Sequence, residues 1–65
     1  MNTKKFIIYV NNNKYIDSQM KKVIMRTILN VEQIELTYDE AISFLKSVFV
    51  GIHGITEKDI ELIEE

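Results

Sequence analysis

The chain has no cysteine, no proline and no tryptophan, one histidine, and only two glycines, both beyond residue 50. Without cysteine there is no disulfide framework, no thiolate zinc site and no thiol nucleophile. Small secreted domains usually rely on disulfides, so an unstapled chain of 65 residues reads as cytoplasmic. A lone His53 falls short of an ordinary zinc site. Long hydrophobic runs are missing as well. The longest, Phe6 to Val10, is five residues, too short for the apolar stretch of a signal peptide or for a membrane span.

What is present describes one small domain over residues 1–65. That length excludes a multi-domain enzyme, a P-loop NTPase and a dinucleotide-binding fold with its substrate domain. The chain is 46% apolar and 28% charged, ordinary values for a folded protein rather than a disordered tail. A domain of this size buries only ~60% of its unfolded surface. Its own core supplies no more than roughly 3–5 kcal/mol, so a homo-oligomer or a docked partner is expected. Asn, Lys and Ile make up 23 of the 65 residues. Their codons are AT-rich, which fits a low-GC bacterium or its phage.

Residues 5–10, Lys-Phe-Ile-Ile-Tyr-Val, have the β-branched and aromatic composition of a strand. Both faces are apolar, which predicts a covered strand. Asn11-Asn12-Asn13 then predicts a hairpin turn, because Asn tolerates the left-handed conformation. Lys14-Tyr15-Ile16 would be the return strand. Ile16, Met20, Val23, Ile24, Thr27, Ile28 and Val31 fall at helical spacing and predict a helix over 18–29, with Asp17 or Ser18 as N-cap and Asn30 after its last turn. Val23, Ile24, Thr27 and Ile28 are β-branched, which is the case for a strand there instead.

Val31 to Leu36 reads as a third strand. Thr37-Tyr38-Asp39-Glu40 is a capping box, in which hydroxyl and carboxylate each serve the other residue's backbone N–H. Ala41, Phe44, Leu45, Val48 and Phe49 follow as the apolar face of a helix. Gly51 and Gly54 end it, and Thr56-Glu57-Lys58-Asp59 opens a closing helix carrying Ile60 and Ile63. The expected fold is therefore α+β: an N-terminal β-hairpin and short sheet packed with two to three helices, in the order β-β-α-β-α-α.

Charge is sorted along the chain. Residues 1–30 carry six cations against Asp17, whereas residues 31–65 carry Lys46 and Lys58 against nine acids, for a net charge of −2. Such asymmetry points to partners.

Three motifs bear on function. Gly54-Ile55-Thr56 with Ile60 and Ile63 has the spacing of a helix-turn-helix turn and second helix. That second helix holds Glu57, Asp59, Glu61, Glu64 and Glu65 against Lys58, the wrong sign for lying beside phosphates. Ile8-Tyr9-Val10-Asn11-Asn12 is similar to the first-strand motif of the RNA recognition motif family, and the resemblance implies Tyr9 as a base-stacking ring. That family's second motif needs a Lys/Arg-Gly-aromatic signature, and no glycine precedes residue 51. His53 has no recognisable nucleophile or orienting group beside it in sequence.

These readings add up to a non-enzymatic protein that binds a macromolecule. The first expectation is a small regulator or inhibitor, of a size and composition that suit a phage or mobile element. It docks on a host or cellular protein, a nucleic-acid-binding one among the candidates, through Asp39, Glu40, Glu57, Asp59, Glu61, Glu64 and Glu65. The alternative is a nucleic-acid binder using Lys4, Lys5, Tyr9, Lys14, Lys21, Lys22 and Arg26. A third is a homodimer in which one copy's basic half meets the other's acidic half. No cofactor, metal or membrane is expected.

Overall fold

The computed structural model describes residues 1–65, and it holds four α-helices and no sheet. They are α1 (Lys4–Asn12), α2 (Ser18–Gln33), α3 (Tyr38–Phe49) and α4 (Glu57–Ile60), with a single 3₁₀ turn at Ile52–Gly54. The α+β expectation is overturned. Its one trace of β structure is an isolated antiparallel bridge between Asn2 and Glu64 that ties the two ends together.

The expected first strand is α1. Phe6 and Val10, one helical turn apart, are fully buried, while Ile8 points outward and is half exposed. A strand would have put all three on one face. The hairpin expected at Asn11-Asn12-Asn13 is the end of this helix, and Lys14-Tyr15-Ile16 belongs to a helix–helix connection. The connection places Ile16 in the core. Strand propensity here yields to burial.

Helix α2 covers the predicted 18–29 and runs one turn further, to Gln33. Asp17 is its N-cap, accepting from the Met20 N–H at 2.7 Å. Asn30 does not end it. The strand expected over Val31–Leu36 is instead the last turn of α2 followed by an extended four-residue link. Val31 completes a buried stripe with Ile24 and Ile28.

Helix α3 starts at the capping box as expected: the Thr37 hydroxyl accepts from the Glu40 N–H at 3.2 Å and Glu40 accepts from the Thr37 N–H at 3.0 Å. Gly51 (φ 94°) and Gly54 (φ 81°) turn the chain back, with His53 between them also left-handed at φ 48°. The closing helix is much shorter than expected. Thr56 and Asp59 form a second capping box, but α4 is one turn, and the chain leaves it so that Ile63 enters the core and Glu64 reaches Asn2.

Thirteen apolar side chains form one core, with Phe6, Ile24, Leu45, Phe49, Ile55 and Ile60 among the most buried. Each contributes about 1.5–3 kcal/mol by leaving water. The helices pack in a row around it, α2 on α1, α1 on α4 and α4 on α3, whereas α2 and α3 approach each other less closely. No helix is long and apolar enough to cross a membrane.

Candidate docking surface

Four of the seven acidic side chains expected to bind a partner are engaged within the chain. Glu40 closes the α3 cap, and its two hydrogen bonds from Thr37 hold its carboxyl below the usual range. Asp59 closes the α4 cap and also accepts from the Tyr9 hydroxyl at 3.0 Å. Glu61 pairs with Lys46 at 3.2 Å and Glu64 with Lys5 at 3.5 Å. Asp39, Glu57 and Glu65 are exposed without a side-chain partner. Because α4 is one turn, Glu61, Glu64 and Glu65 lie beyond it and not on a continuous helical face.

The basic side chains fall into two groups. Lys4 and Lys5 open α1 and lie beside the C-terminal acids, as the Lys5–Glu64 pair and the Asn2–Glu64 bridge require. Lys14, Lys21, Lys22 and Arg26 lie around the α1–α2 connection and along α2 as far as its middle. There the Lys21 ammonium donates to the Asn11 carbonyl at 2.9 Å. Tyr9 is not free to stack a base. Its hydroxyl donates to Asp59 and accepts from the Asn13 amide at 3.2 Å, and its ring lies 6.3 Å from that of Phe6. Burial, and then the Asp59 carboxylate, push that hydroxyl above its ordinary pKa. The free aromatic at this end is Tyr15, 77% exposed. Sequence reading passed it over because it took Tyr15 for part of a strand. Tyr15, Lys14 and His53 share a shallow cleft over Tyr9.

The third surface had been read as core. The expected α3 face of Ala41, Phe44, Leu45, Val48 and Phe49 is only partly buried, and Ile42 takes a place in it. Phe44 is 46% exposed and Val48 38%. Lys46 marks the flank of α3 nearest Glu61 and the C-terminal segment. Phe44 and Val48 occupy the opposite flank, one turn apart. On α2, Lys21 bonded to Asn11 and Glu32 bonded to the Thr3 hydroxyl mark the side facing α1. The side away from α1 carries Val23 and Thr27, and Ile34 follows just past the helix end; Val23 is 49% and Ile34 56% exposed.

Helix α1 covers the other side of α2, and the C-terminal segment covers the other side of α3. These two flanks are therefore the ones left on the side where α2 and α3 border each other over the shared core, a surface termed the valley. The extended link closes one end of that valley. There Met1, Val31, Ile34, Leu36 and Ala41 line a recess of about 230 Å³. The signal in the sequence was excess: Ala41, Ile42, Phe44, Leu45, Val48 and Phe49 span more of the α3 circumference than one core contact covers.

No protein-family model, curated protein or solved structure matches this chain. No three of its His, Asp and Glu side chains converge on one point.

Proposed function

We propose that this is a small non-enzymatic protein that works by binding another protein, and that its docking face is the apolar valley between α2 and α3. One observation carries the reading: Val23 on α2, Ile34 on the link that follows it, and Phe44 and Val48 on α3 all leave large apolar surfaces in water. A contiguous apolar patch rimmed by polar residues marks an interaction site more often than scattered exposed side chains do. The acidic C-terminal surface is the weaker docking face, because Asp59, Glu61 and Glu64 already have partners within the chain.

A photo-crosslinking residue at position 44 separates the two faces. In source cells it should give a discrete protein adduct, while the same residue at position 57 gives none. An adduct from position 57 alone would return docking to the acidic end.

A second reading rests on Tyr15. Its exposed ring stands beside Lys14 at the same end of the molecule as Lys22 and Arg26, an arrangement suited to stacking a base beside phosphates. A gel shift at low salt that fades steeply with added salt would support it. No shift with any DNA or RNA at low salt would remove it.

A further inference from the structure

We infer that the partner seated on the α2–α3 valley is a second copy of this chain, related to the first by a two-fold axis across the valley. The inference rests on the docking face proposed above and adds its occupant. The valley has its cations toward one end and its anions toward the other. Lys22 and Arg26 stand on the second turn and at the middle of α2, one turn apart and exposed. Glu35 and Glu40 stand at the other end, on the link and the first turn of α3, also exposed.

No anion lies in the first half of α2 to neutralise Lys22 and Arg26, and neither pairs with any carboxylate of its own chain. Glu35 has no side-chain partner either, and Glu40 is bonded only to the neutral Thr37. Along α2, at 1.5 Å per residue, Glu35 is about 20 Å from Lys22 and about 14 Å from Arg26, and it pairs with neither within one molecule. A surface with its cations toward one end, its anions toward the other and apolar side chains along its length complements itself when turned end for end. A two-fold axis then brings Lys22 and Arg26 of each copy to Glu35 and Glu40 of the other. The valley floors meet between them. There, Phe44 and Val48 of both copies leave water together, and the recess at the link accepts apolar side chains from the start of the other copy's α2.

A stable interface takes about 800 Å² from each partner. The chain exposes 4552 Å² in all, so such an interface would cover about a sixth of it. Helix α2, 16 residues and about 24 Å long, together with α3 beside it, is a face of that size.

Sedimentation equilibrium on the purified chain, over a wide concentration range at low salt, tests the proposal. The expected result is a reversible monomer–dimer equilibrium. Lys22→Glu and Glu35→Lys should each weaken self-association by about tenfold or more, because each puts like charges together twice per dimer. Mixing the two variants should restore association to near the native value, since both contacts in the mixed dimer are then of opposite sign. Phe44→Glu should abolish dimerisation while leaving the helical circular dichroism intact.

A native chain that stays monomeric at every concentration overturns the second-copy assignment, as does a mixture of variants that fails to associate. If that monomer still crosslinks to another protein from position 44, the docking face stands and only its occupant is wrong. If position 44 crosslinks to nothing, the docking face fails as well.

Discussion

The hydroxyl of Tyr9 donates to the carboxylate of Asp59 across 50 residues of sequence, at 3.0 Å. The same Asp59 oxygen accepts from the Thr56 N–H at 2.8 Å. One carboxylate thus caps α4 and anchors α4 to α1. Tyr9→Phe removes the anchor and keeps the ring, and a hydrogen bond of this kind contributes about 0.5–1.5 kcal/mol, or somewhat more to a charged acceptor. Urea unfolding should show a loss of that size. The bond also sets an alkaline limit. The folded pKa of Tyr9 is raised above the ordinary 10.0, first by burial and then by Asp59. Its contribution is therefore full below pH 10 and is lost as pH rises through the higher folded value. Native protein should lose stability above pH 10 more steeply than Tyr9→Phe, and matching alkaline curves for the two would refute the coupling.

Phe6 and Ile8 decide between strand and helix at the N-terminus. In a strand they share a face, whereas in α1 they stand on opposite sides, with Phe6 fully buried and Ile8 half exposed. Phe6→Ala should cost about 3–5 kcal/mol. That is comparable to the whole stability of a domain this small, so the variant should be largely unfolded by circular dichroism. Ile8→Ala should stay within about 0.5 kcal/mol of native. Equal losses at both positions would restore the strand.

The same pair shows why part of the fold was hidden from sequence reading. Helix α3 was legible because its start is local: Thr37 and Glu40 are three residues apart and serve each other. Helix α1 carries no such signal. Thr3, at its N-cap, makes no capping bond and donates its hydroxyl to Glu32 at 3.1 Å instead, a contact 29 residues away. Its composition speaks for a strand, and only the burial of Phe6 and Val10 against the other helices makes it helical. Helix α4 was legible at its start for the same reason as α3, through Thr56 and Asp59. Its early end was not, because what stops it is the Asn2–Glu64 bridge and the burial of Ile63. Of the candidate sites, the charged residues were visible as residue types, but their internal pairings were not. The exposure of Phe44 and Val48 was hidden because they share helical spacing with the buried Leu45 and Phe49, and nothing local says which part of that face is covered.

The Gly51–Gly54 turn makes a prediction of opposite signs within four residues. Gly51 has φ 94°, and a β-carbon added there would meet nothing within 4 Å. Any cost of Gly51→Ala is therefore conformational, about 1–2 kcal/mol. His53 sits at φ 48° with an ordinary side chain and stores strain of the same origin. Asn tolerates this region better, so His53→Asn should match native stability or exceed it by up to about 0.5 kcal/mol. Thermal melts of the two variants check both signs, and a His53→Asn variant clearly less stable than native would mean that the imidazole itself makes a contact worth more than the strain.

Glu40 links the α3 cap to acid stability. Its carboxyl is held below the ordinary 4.5, chiefly by the Thr37 N–H and then by the Thr37 hydroxyl. A carboxylate with a depressed folded pKa stabilises the protein above its unfolded value, and that contribution is lost as pH falls through the folded one. Glu40→Gln keeps an acceptor for the Thr37 N–H but does not ionise. The native chain should therefore be more stable than Glu40→Gln at pH 7, and the gap should close well below pH 4. Thr37→Ala removes the hydroxyl that caps α3, at a cost of about 1 kcal/mol. Most of that loss is present at both pH values, because the Glu40 N–H is left without its acceptor whatever the charge on the side chain. Urea melts at neutral and acid pH separate the two effects. A gap between native and Glu40→Gln that stayed constant with pH would place the cap's contribution in neutral hydrogen bonding alone.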